Sequence, residues 1–402
     1  VTATGPVGRA FHDGFEPLRL LAIAPTAFFA DYGCHVRIWG QLQALQRRGY
    51  TVRLLTYPAG RDVPGLPTIR PPLPFIRQLP VGSSRRKLML DVLLLPMAVA
   101  AALRFRPQLV HGYLHEGAFI GWWVARLLGV PLSFDYQGSL TGEMLDHRFL
   151  SPHSPLLPFW QRLEAWIDRR PQAVFPSSGH AAMTLARCGL PSERLHPLPD
   201  SVEPTLFAPQ PADPILRRRL GLAPDRPLVV YLGLLAPYQG IDLLLHSIAT
   251  PPLAAHPAQF LIMGFPAEAS YRRRAERLGI GDRVVFTGPI PYFQAPRYLA
   301  LGDLAVAPKL SHSEGSGKLL PYMSMGLPIV ATDTPVHREY LGDDGIFVPP
   351  EPQALATAIV HALDRRAGLA EVGARLRARV QARYTWDHAA AMMDAVFRRL
   401  LV

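Results

Sequence analysis

Lysine is nearly absent from this chain. Of the 42 lysine and arginine residues among 402, only Lys87, Lys309 and Lys318 are lysine, and with 31 Asp and Glu the formal net charge is +11. So strong an arginine bias is background composition, which makes the place of each surviving lysine informative. Cysteine is scarce as well. Cys34 and Cys188 stand alone, without C-x-x-C or Cys/His metal spacing, so a disulfide scaffold is excluded and two free thiols in a reducing compartment are expected. Long apolar runs are also lacking. In the stretch 87–105 the longest charge-free run, Val92 to Leu103, has 12 residues and contains Pro96, short of the roughly 18 needed to span a bilayer. A buried helix is expected there, ahead of a helix lying on a membrane surface. The first apolar run, Leu18 to Ala24, has no basic leader and no cleavage site, so no secretory signal is expected.

What is present is a globular composition. With 49% hydrophobic residues, disorder and fibrous classes are excluded, and the 42 prolines and 32 glycines follow no period and read as loop punctuation. A chain of 402 residues exceeds one hydrophobic core, so two domains are expected. Short apolar runs of strand length alternate with helical periods, the pattern of parallel sheets with crossover helices. The expected strands are 19–24, 51–57, 108–113, 132–136 and 173–176, then 228–232, 259–263, 284–287, 304–307, 328–331 and 345–348. Between the two sets the run Phe207 to Pro214 (FAPQPADP) suits neither element and marks a boundary. The expected organisation is therefore α/β, with a domain over 1–207, a second over 208–385, and a last helix over 386–402 returning to the first. Ligands of such sheets bind off the carboxyl ends of the strands, which makes the cleft between the halves the expected site.

Four places carry candidate chemistry. After the first strand, Gly33 opens a helix where backbone N–H groups can approach an anion or a sugar. The segment 307–333 (APKLSHSEGSGKLLPYMSMGLPIVATD) sets the carboxylate of Glu314 before the flexible Gly315, Ser316 and Gly317, between Lys309 and Lys318. Helix-start amides and two ammonium groups suit a diphosphate, and the carboxylate suits sugar hydroxyls. A P-loop is excluded by the spacing. At the end of a strand, LVHGYLHEGAFIG (109–121) offers His111, His115 and Glu116; a packed histidine within the strand and no metal site are expected, and His115 is open between a polar role at the cleft and a structural one. Lastly FDYQGSLTGEMLDH (134–147) brings Gln137, Thr141 and Glu143, able to bind acceptor hydroxyls. Nucleic acid is not an expected partner, since the arginines are scattered and no recognition motif is present. The run Arg77, Arg85, Arg86 and Lys87, before the apolar helix, suggests a partner in an anionic membrane surface.

With these motifs in order, the chain resembles the retaining glycosyltransferases of family 4, with the GT-B fold of two facing Rossmann-like, doubly wound domains. Supporting pieces are Pro199-Asp200-Ser201-Val202-Glu203 with Phe207 and Pro209, Phe286-Thr287-Gly288, Tyr322-Met323 with Gly326 and Pro328, and the terminal Tyr384-Thr385-Trp386-Asp387. The resemblance implies transfer of a sugar from a UDP- or GDP-linked donor to a glycan or lipid-linked hydroxyl, in polysaccharide or glycolipid assembly, with retention, no bound metal and no organic cofactor. The cysteine usage and the basic run, taken separately from the resemblance, suggest a cytoplasmic enzyme, peripheral at the inner face of a membrane where it meets one. The resemblance sets Gly33 beside the donor phosphates, His115 near the reacting sugar and Glu314 on donor sugar hydroxyls.

The chain departs from the family pattern at the diphosphate. The family's Gly-Arg…Lys-Gly pair falls on Gly233-Leu234…Gln239-Gly240, where both cations are missing, and its second motif glutamate falls on Tyr322, or on Pro321 when aligned through Gly326. Lys309 and Lys318 are therefore the candidates for the replacement charge, with Gly233, Gln239 and Tyr322 as donor-side neighbours. The lost residues leave open a degenerate GT-B protein that binds without turnover; a nucleotide-sugar 2-epimerase of the same architecture has less support.

Overall fold

The computed structural model describes residues 17–77, 79, 84–146, 149–311 and 315–402. Twelve strands form two six-stranded sheets. The first holds β1 (Arg19–Ala24), β2 (Thr51–Thr56), β3 (Thr68–Ile69), β4 (Leu109–Tyr113), β5 (Leu132–Tyr136) and β6 (Ala173–Pro176), in the order β3-β2-β1-β4-β5-β6. The second holds β7 (Leu228–Leu232), β8 (Gln259–Met263), β9 (Val284–Gly288), β10 (Leu304–Ala307), β11 (Ile329–Thr332) and β12 (Ile346–Val348), in the order β12-β11-β10-β7-β8-β9. Counted within each half, both sheets run 3-2-1-4-5-6, and the paired strands are parallel throughout. The chain reverses its winding between β1 and β4 and again between β7 and β10, and at these switch points the loops leave a crevice.

The strands are the apolar runs because both faces of a parallel sheet are covered by helices. Residues 20–24 of β1 and all of β4, β5, β8 and β10 are buried. Only β3, two residues long, has too little pattern to be read from sequence. In the first half the helices are α1 (Gly33–Arg47), α2 (Arg85–Phe105), α3 (Leu114–Leu128), α4 (Leu140–Asp146), α5 (Leu157–Asp168) and α6 (Gly179–Arg187).

The expected core helix at 87–105 needs correction. In α2, Leu90, Leu94, Ala98 and Ala102 pack against β1, β2, β4 and α3, whereas Met89, Val92 and Leu103 face outward. One face of α2 is core and the other is surface.

The chain crosses back at its end. Val202 N–H donates to Tyr384 O (2.9 Å), and the terminal helix Trp386–Leu400 lies on α1, with Tyr50 Oη donating to Asp394 (2.7 Å). The two halves also meet directly around the cleft. Both carboxylate oxygens of Glu339 accept the Gly179 N–H at the start of α6 (3.0 Å each), Asp31 accepts the Tyr292 N–H (2.9 Å), and Phe29 stacks on Phe293.

Candidate functional site

The crevice between the sheets is a cavity of about 320 Å³, walled by the loops that follow the first and fourth strands of each half. All three lysines of the chain line it. That includes Lys87, expected in an outward basic run; it sits on the helical face shared with Leu90 and Leu94, so the start of α2 turns it into the cleft. A small side pocket opens there, lined by Lys87, Asp91, Glu116 and Glu143.

On the second half's wall, Lys318 Nζ donates to Gln239 Oε1 (2.6 Å) and Tyr231 Oη (3.0 Å), and it stands 4.4 Å from the Tyr231 ring centre. It also lies over Gly233, where an added Cβ would fall 3.0 Å from the ammonium nitrogen. An ammonium therefore occupies the space between Gly233 and Gln239, and it reaches them from a different loop. Gly240 is left-handed (φ +77°), and a Cβ there would collide with the carbonyl of Pro308, which explains why glycine stands at this bend.

Lys309, almost fully buried, donates from Nζ to Gly315 O (2.6 Å) and so holds the start of the glycine loop. A Cβ on Gly315 or Gly317 would lie 2.8 or 3.1 Å from Asp200 Oδ2, so these glycines make room for a carboxylate from the interdomain segment. Ser316 is held from behind. His337 Nδ1 faces Thr332 O (2.7 Å) and must donate to it, so in the neutral ring Nε2 accepts the Ser316 hydroxyl proton (3.0 Å). Glu314 lies outside the described residues.

On the first half's wall, Gly33 begins α1 at the cavity. Its N-cap, Tyr32, makes no side-chain cap bond, and the first turn holds no acid, so the positive end of the helix faces the space. The loop before it is braced by His35, whose Nδ1 accepts the Ala30 N–H (2.8 Å) and whose Nε2 therefore donates to Thr26 Oγ1 (2.7 Å). Burial, with nearby Lys87, Arg70 and Arg61, holds this ring neutral. One turn on is Arg37, which the sequence reading missed. Its guanidinium binds both oxygens of Asp135 (2.6–3.1 Å), Asp200 Oδ1 (3.1 Å) and Leu198 O (2.8 Å), tying α1, β5 and the interdomain segment together. Burial pushes the Asp135 carboxyl up, but the charge and hydrogen bonds of Arg37 outweigh it and hold it below its usual range; Asp200 is raised, by burial first.

His115 follows Leu114, a residue at φ +61° that turns the end of β4 sharply into α3. The ring lines the cavity between Phe134 and Tyr136, and Nε2 lies 3.2 Å from Asp168 Oδ1 and 3.9 Å from Glu164 Oε1 of α5. Burial pulls its pKa down, but the nearby carboxylates of Asp168, Glu164 and Glu116 hold it above the usual value. The three ligand atoms lie within 4.8 Å of one another, a cluster that spacing along the chain did not reveal. Both Glu164 oxygens already accept N–H bonds from Leu140 and Thr141, so toward His115 they supply charge. His111, four residues earlier, behaves oppositely: it is buried beside Ser133 (2.7 Å), and burial lowers its pKa to about 4.

Two expected site residues are corrected. Thr141 does not line the cavity, because its hydroxyl donates to Glu164 Oε2 (2.5 Å) at the start of α4. Tyr322 is fully buried behind the wall, and its hydroxyl accepts the Leu232 N–H (2.6 Å); the neighbouring Pro321 lines the cavity instead. Gln137 and Glu143 do line it, Gln137 with its amide donating to Asp135 (2.9 Å).

Comparison with known proteins gives a consistent result. A glycosyl transferase 4-like domain matches residues 32–200, and a glycosyl transferases group 1 domain matches residues 226–365. The alpha-D-kanosaminyltransferase of Streptomyces kanamyceticus is 30% identical over 301 residues, covering 70% of this chain and 74% of that protein. A D-inositol 3-phosphate glycosyltransferase of Xylanimonas cellulosilytica is 26% identical over 392 residues, 91% of each chain. Among solved structures, sucrose-phosphate synthase from Thermosynechococcus elongatus superposes with a TM-score of 0.80 at 22% identity, covering 95% of this chain and 99% of the other. Anabaena Alr3699/HepE in complex with UDP-glucose superposes at 0.75 with 17% identity, covering 95% and 100%.

Proposed function

The chain belongs to the group 1 glycosyltransferases and has their GT-B fold, and from that premise we propose that it moves a sugar from a UDP- or GDP-linked donor to a hydroxyl of a glycan or lipid-linked acceptor, with retention and without a metal. The observation that carries this reading is that the only three lysines of the chain converge on one cleft, at the switch points of both sheets. A leaving nucleoside diphosphate gathers negative charge as the glycosidic bond breaks, so cations and helix-start amides fixed beforehand stabilise it most.

Lys318 substitutes for the missing Arg/Lys pair over Gly233 and Gln239, Lys309 fixes the Gly315–Gly317 loop, and the uncapped start of α1 at Gly33 faces the same phosphates. Glu314 holds donor sugar hydroxyls, and His115 stands beside the reacting sugar. Glu143 and Gln137, joined by Lys87 and Glu116, form the acceptor side. Two named relatives point to the same donor classes: HepE was solved with UDP-glucose, and a Mycolicibacterium smegmatis mannosyltransferase is GDP-mannose-dependent.

The test is a thermal-shift screen against UDP- and GDP-sugars, followed by nucleotide release without acceptor and in the presence of EDTA. Stabilisation by one donor with slow, EDTA-insensitive release supports the proposal. Donor binding without any release would turn the reading into that of a binding protein, and no binding at all would remove it.

A further inference from the structure

The helix α2 presents apolar surface in two directions. Its inner face is committed to the core through Leu90, Leu94, Ala98 and Ala102. On its outer face Met89 is 74% and Val92 76% exposed, with Leu93 and Leu103 exposed beside them. The helix α3, packed beside it, adds the exposed Trp123 and Leu127. Scattered apolar residues on a surface need no explanation, but a stripe running the length of a 21-residue helix and continuing onto its neighbour does.

The exposed charges on α2 and α3 have one sign. Arg86, Arg104, Arg106 and Arg126 are exposed, and the single acid between residues 85 and 106, Asp91, is turned inward to accept the Tyr57 hydroxyl (2.6 Å). Among the described residues α2 is the one helix long and apolar enough to cross a membrane by length and composition. Its inner face already packs on the sheet, so the arrangement suits lying flat in an interface, where arginines meet headgroups and Trp sits at the boundary. A second copy of the chain fits less well, because a two-fold contact through this face would oppose the same arginine rim to itself.

We propose that the outer face of α2, with Trp123 and Leu127 of α3, docks the protein onto an anionic lipid bilayer. The docking does not depend on glycosyl transfer. One consequence does rest on that reading: Lys87 and Leu88, at the amino-terminal end of the docked helix, line the side pocket with Glu116 and Glu143, so the acceptor side of the cleft opens next to the bilayer and suits a lipid-linked acceptor.

The test is co-sedimentation of the full chain with phosphatidylcholine vesicles, with and without phosphatidylglycerol, at low and high salt. Three forms are compared: unchanged, Met89→Glu/Val92→Glu, and Arg86→Glu/Arg104→Glu/Arg126→Glu. The substituted residues are exposed, and unfolding temperature with donor binding verifies that each form is folded and that its cleft is intact. The expected result is binding that requires phosphatidylglycerol, weakens with salt and falls roughly tenfold or more in both variants. Absence of binding at low salt, equal binding to both vesicle types, or binding unchanged in either variant overturns the proposal. So does a dimer that Met89→Glu/Val92→Glu disperses while vesicles are not bound. Donor binding is read separately, so its loss would count against the transferase and leave the docking result standing.

Discussion

The two walls of the cleft come from sheets with the same strand order, yet they hold their charges differently. On the second half's wall, Lys309 and Lys318 hydrogen-bond to oxygen atoms without formal charge: a carbonyl, an amide and a phenol. Such bonds fix the position of each ammonium group at the cleft. On the first half's wall the described pairs are ionic, Arg37 with Asp135 and Asp200 and His115 with Asp168. Topology alone therefore does not assign the chemistry, and the loops at the strand ends do. The described bonds of one wall place its ammonium groups on the cleft, and those of the other tie its own elements together.

If that contrast is right, the largest effect comes from the pairing on the first wall. Arg37→Met leaves the buried Asp135 and the partly exposed Asp200 without their partner and is expected to lower unfolding stability by about 3–5 kcal/mol, read by urea denaturation. A loss below about 1 kcal/mol would show that the pairing does not hold the wall.

The next effect belongs to the second wall. Lys318→Ala is expected to weaken donor binding roughly 10- to 100-fold in calorimetry, the scale of a charge-assisted hydrogen bond, with little change in unfolding temperature. Lys309→Ala should weaken donor binding as well, and unchanged affinity in both variants would sink the assignment of that wall.

A smaller effect is sorted by pH. The folded-state pKa of His115 is raised, so the stability from its pair with Asp168 is full below its ordinary value of about 6.5 and is lost as pH rises through the raised value. Asp168→Asn should therefore cost roughly 2 kcal/mol in mild acid and progressively less at higher pH. His111, lowered to about 4, contributes with the opposite sign, full above about 6.5 and lost as pH falls toward 4, and it cancels between the two proteins. A gap that widens with rising pH would contradict the pairing.

The smallest effect tests the placement of Tyr322. Tyr322→Phe should cost about 1 kcal/mol of stability, for one neutral buried hydrogen bond, and leave donor affinity unchanged.

Sequence pattern revealed the strands because a parallel sheet buries both faces and leaves an unbroken apolar run, while β3, with two residues, had none. Lys309 and Lys318 were legible through scarcity. Lys87 was readable in principle, since it lies three residues before Leu90 and seven before Leu94 on one helical face; its neighbours in a basic run suggested the opposite direction. Arg37, Thr141 and His115 were a different matter. Their partners Asp135, Asp200, Glu164 and Asp168 arrive from elements remote in sequence, and no local period records that meeting.

On the proposed reading, Lys318 supplies the donor-binding charge at Gly233 and Gln239 from another loop. Donor binding by calorimetry to Lys318→Ala and to Lys318→Ala/Gln239→Lys tests it most directly. Lysine at position 239 is expected to restore most of the affinity lost in the single variant; a double variant that binds no better than Lys318→Ala would overturn this assignment of Lys318.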